Sequence, residues 1–318
     1  MQKLAIILSI FLLLTGCGKA QSGKNAAAEA SERVEVPVFD ADSAFAYVKR
    51  QVDFGPRVPN TAAHRATTEW LAESLRRRGA EVVEQKALLK AFDGTMLNAT
   101  NIIGQFNPEA EDRLLLLAHY DCRPWADEDA DESKRSLPVD GANDGASGVG
   151  VLLEVARQIA LKNPGCGVDI LFVDAEDYGS DEDEDSWALG TKYFVEHPFK
   201  EGYVATEAIL LDMVGGRDAR FYHEYFSQQN APSLASRVWA CAEEAGYGDR
   251  FINRLGGAVN DDHRRLIDAG IPAIDIIEYN PSSGFNPAWH TSADNMDNID
   301  AATLKAVGQT LLNFIYGR

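Results

Sequence analysis

Hydrophobic positions along the chain switch between two periods. Over residues 42–52 they recur at helical spacing, with Phe45, Val48 and Val52 on one stripe; residues 61–78 repeat the pattern with Trp70, Leu71 and Leu75 ahead of Gly79. Strands are expected over 81–89 and 98–105. Residues 113–118 carry four consecutive leucines, apolar on both faces, as a strand buried from both sides requires. A helix over 148–161, a buried strand over 168–173, a helix over 188–196 and a third buried strand over 208–213 follow. Residues 231–245 read as a helix, 274–277 as a short strand and 301–316 as a closing helix. Apolar strands alternating with helices predict a three-layer α/β/α fold with a mostly parallel mixed central sheet. No internal repeat and no Pro/Gly linker follows residue 36, so a single domain over 37–318 is expected.

The first residues are of another kind. Lys3 gives residues 1–16 a positive start and residues 4–14 are almost unbroken apolar side chains, the pattern of a signal peptide. The run is short of the roughly 20 apolar residues a membrane span needs. It ends in Leu14-Thr15-Gly16-Cys17, which resembles the bacterial lipobox. That resemblance implies that Cys17 is the lipidation site and the first residue of the mature protein. A plain signal peptide with a chance cysteine, or a retained membrane anchor, is the alternative. Gly18 rather than an acid after the cysteine implies the outer membrane, facing the periplasm of a bacterial cell envelope. Two or three acyl chains anchor firmly where one is marginal. Residues 17–36, small and polar, read as a flexible tether.

Composition narrows the classes. Among 318 residues, 45% are hydrophobic and 25% charged, which excludes a disordered chain or a fibre. Lys and Arg number 30 against 49 Asp and Glu, a net charge of −19, so the chain lacks the basic footprint for nucleic acid. The membrane is expected as a partner through the lipid anchor only. Of the remaining cysteines, Cys122, Cys166 and Cys241, no two form a CxxC pair, and one disulfide with one free thiol is allowed. None has a neighbour that marks a nucleophile, so all three read as small buried residues.

Ligand-type residues collect where the predicted strands end, the usual place for sites in open α/β sheets. The leucine strand ends in His119-Tyr120-Asp121, and the next loop carries residues 140–148, with Asn143 and Asp144, into a helix. The strand at 168–173 leads to Asp174-Ala175-Glu176-Asp177, and the strand at 208–213 contains Asp212. Asp261-Asp262-His263 and Trp289-His290-Thr291 come later. Carboxylates and imidazoles without thiolates suit a catalytic zinc with an open position.

These motifs resemble the zinc-aminopeptidase clan of co-catalytic metallopeptidases. Within it, Asp261-Asp262-His263 with Trp289-His290 most resembles the glutaminyl-peptide cyclotransferases (glutaminyl cyclases), over about residue 53 to the C-terminus. The resemblance implies one zinc held by Asp144, Asp177 and His290, with Glu176 as the proton-transferring carboxylate and Asp212 and Asp261 as its hydrogen-bonding partners. It implies Trp289 as a wall of the substrate pocket, with Trp187 as a further surface, and peptides or proteins with N-terminal glutamine as substrates. The pattern departs at Asp177, where animal cyclases have Glu, and at Asp275, where they have a histidine; both departures mark a separate bacterial branch. The alternative is a di-zinc aminopeptidase in which His119, Asp144 and Asp212 hold a second zinc and Glu176 activates water. A catalytically inactive lipid-anchored binding protein is a third reading, but it would need a missing ligand. Residues 181–185, five acids in a row, lack the glycine of a calcium loop and read as a solvated loop near the pocket mouth, as do residues 127–132. His64, His197 and His223 read as surface or helix-end residues.

Overall fold

The computed structural model describes residues 35–318, and Glu35–Arg318 form one compact unit. The signal segment, Cys17 and most of the tether lie outside the described residues.

The chain opens with helices α1 (Ala41–Val52) and α2 (Ala62–Arg77). Asp40 caps α1 by accepting from the amides of Asp42 and Ser43, and Thr61 caps α2 by accepting from His64 N. Strands β1 (Glu81–Lys90) and β2 (Met96–Phe106) form an antiparallel hairpin. Then come β3 (Arg113–His119), α3 (Ala146–Leu161), β4 (Gly167–Val173), α4 (Leu189–Glu196) and β5 (Glu207–Asp212). A second run follows: β6 (Phe221–His223), α5 (Tyr225–Asn230), α6 (Pro232–Glu244), β7 (Phe251–Leu255), α7 (Asp262–Asp268) and β8 (Ala273–Ile277). The short pair β9 (Tyr279–Asn280) and β10 (Gly284–Phe285) precedes the closing helix α8 (Ala301–Tyr316).

The main sheet has six strands in the order β1-β2-β4-β3-β5-β8, antiparallel at β1–β2 and β2–β4 and parallel from β4 through β8. The four leucines of β3 explain the layers. Leu114 and Leu116 pack into the cluster that includes Val48 of α1, Leu152 of α3 and Leu311 of α8. Leu115 and Leu117 face the other way, against Phe194 of α4 and Leu266 of α7. All four are fully buried, so the strand needs apolar side chains on both faces. From β3 the chain steps to β4 on one side, then passes back over β3 to reach β5. That reversal opens a crevice at the C-terminal ends of β3 and β5.

Several elements differ from expectation. The helix expected over 231–245 begins at Pro232, preceded by the separate short helix α5. Proline has no N–H to donate and fits the first turn, so the break falls at Ala231. Helix α7 grows out of the Asp261-Asp262-His263 motif, where the Asp261 carboxylate caps it by accepting from Asp262 N at 2.5 Å. Strands β6 and β7 are too short for their alternation to stand out in the sequence. Cys166 and Cys241 are only half-buried, and all three described cysteines are free thiols, so no disulfide forms among them. Burial pushes the Cys122 thiol up to about 12, which leaves it inert.

Candidate active site

Two buried carboxylates shape the loops that carry the site. After β4 the chain turns through Ala175 at φ 53°. Asp121 holds the next two residues by accepting from Glu176 N at 3.2 Å and Asp177 N at 3.1 Å. In the loop before α3, Asp294 accepts from Asn143 N at 2.7 Å and Asp144 N at 3.1 Å. Gly141 sits there at φ 61°, and a side chain on Gly145 would collide with His119, so both positions demand glycine. His290 itself has φ 53°. Such backbone strain persists only where the surroundings enforce it.

Donor atoms of Asp144, Asp177 and His290 lie within 4.8 Å of one another. His290 Nε2 is 3.1 Å from Asp177 Oδ1 and 3.6 Å from Asp144 Oδ2, while its Nδ1 is 3.6 Å from Asp127 Oδ1. Both Asp177 carboxylate oxygens are buried with no hydrogen-bond partner. Orphaned oxygens facing an imidazole are what a divalent cation satisfies, and an Asp-Asp-His donor set suits zinc with an open position. A second group shares Asp144: His119 Nε2 is 2.9 Å from Asp144 Oδ1 and 3.3 Å from Asp212 Oδ1. Asp144 thus turns one oxygen toward His119 and the other toward His290, so it belongs to both groups.

The electrostatics centre on Glu176. Its burial, reinforced by the charges of Asp261, Asp177 and Asp262 and opposed by His119, holds its carboxyl well above the usual range. Burial and then Asp212 raise Asp261 to about 7. Asp212 rises to about 6 through burial and the charge of Asp144, against the pull of His119. Burial opposes charge on His119, but bonds to Asp121, Asp144 and Asp212 prevail and hold it well above its ordinary value. Asp212 sits against His119, whose charge pulls Glu176 down, while the charges that push Glu176 up come chiefly from Asp261, Asp177 and Asp262.

A cavity of about 300 Å³ opens over these groups, lined by Asp144, Glu176, Asp177, Asp212, Asp261 and His290, with Trp187 and Trp289 among its walls. His119 lies beneath this surface rather than on it. The Trp289 ring stacks on His290 at 3.7 Å between centroids and leans on Phe285 at 4.5 Å. Trp187 stands 6.1 Å from the His290 ring, with the Arg123 guanidinium 4.8 Å from the Trp187 ring centroid. Arg123 also donates to Asp177 O at 3.1 Å and Gly179 O at 2.8 Å, fixing the turn that carries Asp177. Asp181 and Glu184 reach the mouth from the acidic loop, which is otherwise exposed and pinned by Arg265 at 3.2 Å from Asp185 Oδ1.

Other readings of single residues change. His64, expected at the surface, is 2% exposed, with Nε2 2.8 Å from Asp174 Oδ1. Asp174 also accepts from Tyr120 Oη at 2.7 Å and Thr100 N at 2.6 Å, so this network braces the end of β4. His223 is buried too, 2.9 Å from Asn253 Oδ1. In the loop read as solvated, Asp127 backs His290 and Asp129 is buried, accepting from Ser292 N at 2.9 Å. Asp121 was visible through the His-x-Asp spacing. Asp294 carried only its place four residues after His290, a signal too weak to separate it from a surface acid.

By fold and site the molecule is a zinc-aminopeptidase-like metalloenzyme: a three-layer α/β/α domain with a carboxylate–imidazole centre at the ends of its parallel strands. Residues 101–315 match Peptidase family M28, and the chain belongs to that family. It is similar to the solved structure of a Bacteroides thetaiotaomicron glutaminyl cyclase bound to N-acetylhistamine, with 52% identity and a TM-score of 0.88, covering 89% of this chain and 100% of that one. A Zn-dependent exopeptidase from Parabacteroides distasonis is similar at 55% identity and a TM-score of 0.88, over 89% of this chain and 100% of that one. The glutaminyl-peptide cyclotransferase of Bos taurus is 24% identical over 290 residues, 81% of this chain and 77% of that protein.

Proposed function

We propose that this chain is a glutaminyl-peptide cyclotransferase, converting the N-terminal glutamine of peptides and proteins to pyroglutamate with release of ammonia. The observation that carries this reading is Glu176, buried and proton-hungry beside the Asp144–Asp177–His290 group, in a small tryptophan-walled cavity. Similarity to a solved glutaminyl cyclase at 52% identity supports it.

In the reaction the α-amino nitrogen bonds to the γ-amide carbon of the same residue, the bond from that carbon to the amide nitrogen breaks, and ammonia leaves. Asp144, Asp177 and His290 would hold a zinc ion, which would supply Lewis-acid polarisation of the γ-carbonyl. Trp289 and Trp187 fold the glutamine side chain back on its own amine, which is much of the task in an intramolecular step. Glu176 takes the proton from the attacking amine and gives it to the departing nitrogen. Asp261 beside it keeps its proton affinity near the working range.

Purified protein is expected to release ammonia from Gln-peptides and leave leucine anilides intact. Amine release from the anilide without ammonia from the Gln-peptide would overturn the cyclase reading. It would favour the di-zinc aminopeptidase, the second reading that the shared Asp144 supports. An inactive binding protein is disfavoured because every ligand and Glu176 are in place.

We also infer that Cys17 carries the lipid that ties the protein to the bacterial envelope, at the outer membrane facing the periplasm. Cys17→Ser should move the protein from the membrane pellet to the soluble fraction; an unchanged pellet would refute the anchor.

A further inference from the structure

We propose that Asp261, His263 and Asp275 form a second cation site behind the cavity wall, taking a divalent first-row metal such as zinc. Their donor atoms lie within 4.8 Å of one another, and the donor set, two aspartates and one imidazole, repeats that of Asp144, Asp177 and His290.

Asp275 occupies the middle of β8, a strand buried along its whole length, where a bare carboxylate is costly. No group outside the cluster donates to its side-chain oxygens, to Asp261 Oδ2 or to His263 Nδ1, and the Asp261 carboxylate lies against that of Asp275. These atoms face one another: His263 Nδ1 is 3.7 Å from Asp275 Oδ2, and both residues are 0% exposed. The other Asp261 oxygen is already committed to Asp262 N, which leaves Oδ2 for a ligand.

The far side of His263 fixes its tautomer. Its Nε2 is 3.0 Å from Glu224 Oε2. Glu224 accepts in addition from Phe226 N at 2.9 Å, Ser227 N and Ser227 Oγ at 2.7 Å each, and Val259 N at 3.1 Å. Burial opposes charge on Glu224, but the His263 bond and these donors hold it down at about 2, so it is ionised and accepts only. His263 Nε2 then donates to Glu224, which leaves Nδ1 turned toward the carboxylates of Asp275 and Asp261. Two carboxylates and a ring nitrogen this close need a shared proton or a cation between them. A histidine whose other ring nitrogen is held by a carboxylate is the usual support of a metal ligand. Asp261 also lines the cavity, which gives the ion a way in. Bound there, the cation would join α7 to β8 and fix Asp261 next to Glu176. This inference stands apart from the cyclase reading, because its readout is metal content.

Wild-type protein saturated with zinc alone and dialysed should hold about two equivalents by elemental analysis, and Asp275→Asn about one. Undiminished zinc in Asp275→Asn overturns the site, and means that a shared proton holds the two carboxylates. Loss of the second equivalent in His119→Ala but not in Asp275→Asn overturns it too, in favour of a metal on Asp144 and Asp212. Should Asp275→Asn fail to fold, anomalous diffraction at the zinc edge from wild-type crystals decides. A peak between Asp261, His263 and Asp275 supports the site, and its absence at saturating zinc overturns it.

Discussion

Glu176→Gln is expected to keep its zinc and to lose turnover of Gln-peptides by about a hundredfold to ten-thousandfold, the usual contribution of a positioned general acid–base. The amide matches the carboxylate in shape, and the backbone at this position is held by Asp121 through Glu176 N, not through the side chain. Asp177 is therefore left where it was. What disappears is a group that can take a proton from one nitrogen and return it to another. The pH profile carries a second signature. Glu176 accepts a proton only when ionised, and burial holds its carboxyl well above the usual range. The wild-type rate should therefore fall as the pH drops through that raised value, and the residual rate of the variant should lack this limb. Elemental analysis beside kcat separates the outcomes: zinc loss in Glu176→Gln would mean that the ligand and the base had been exchanged.

His290→Ala should lose both the zinc of this centre and the activity. The imidazole is the sole nitrogen donor of its group and stands 3.1 Å from Asp177 Oδ1. Without it two like-charged carboxylates remain, too few ligands for tight binding of zinc at a three-ligand site. The same change removes the surface on which Trp289 stacks at 3.7 Å, so the pocket wall loosens as the metal leaves. Zinc content should fall by about one equivalent and turnover to background, whereas Glu176→Gln spares the metal. A His290→Ala protein that still cyclised Gln-peptides with full zinc would remove His290 from the site.

Much of this centre was legible along the chain because its residues come as short motifs at strand ends. Asp144, Glu176, Asp177, Asp212, Asp261, Trp289 and His290 all reach one cavity. Their partners were not legible. Asp212, read as a partner of Glu176, also lies 3.3 Å from His119 Nε2, because β3 and β5 are neighbours and present their ends to each other. His64 read as a surface residue because its partner Asp174 lies 110 positions away. Asp294 clamps the Asp144 loop across 150 positions, on a contact that no local pattern encodes.

The amino-acid sequence by itself determined the layered α/β architecture, the edge at which the site forms, and the residue types available there. Burial on two faces writes a leucine run into β3, and a ligand at a strand end is a local event. Tertiary structure alone decided which carboxylates burial pushes up, which histidine joins the Asp144–Asp177 group and which braces β4, and that Asp261, His263 and Asp275 lie together. Those properties depend on desolvation and on distances of a few ångströms between distant segments, and both exist only once the sheet has closed over its core.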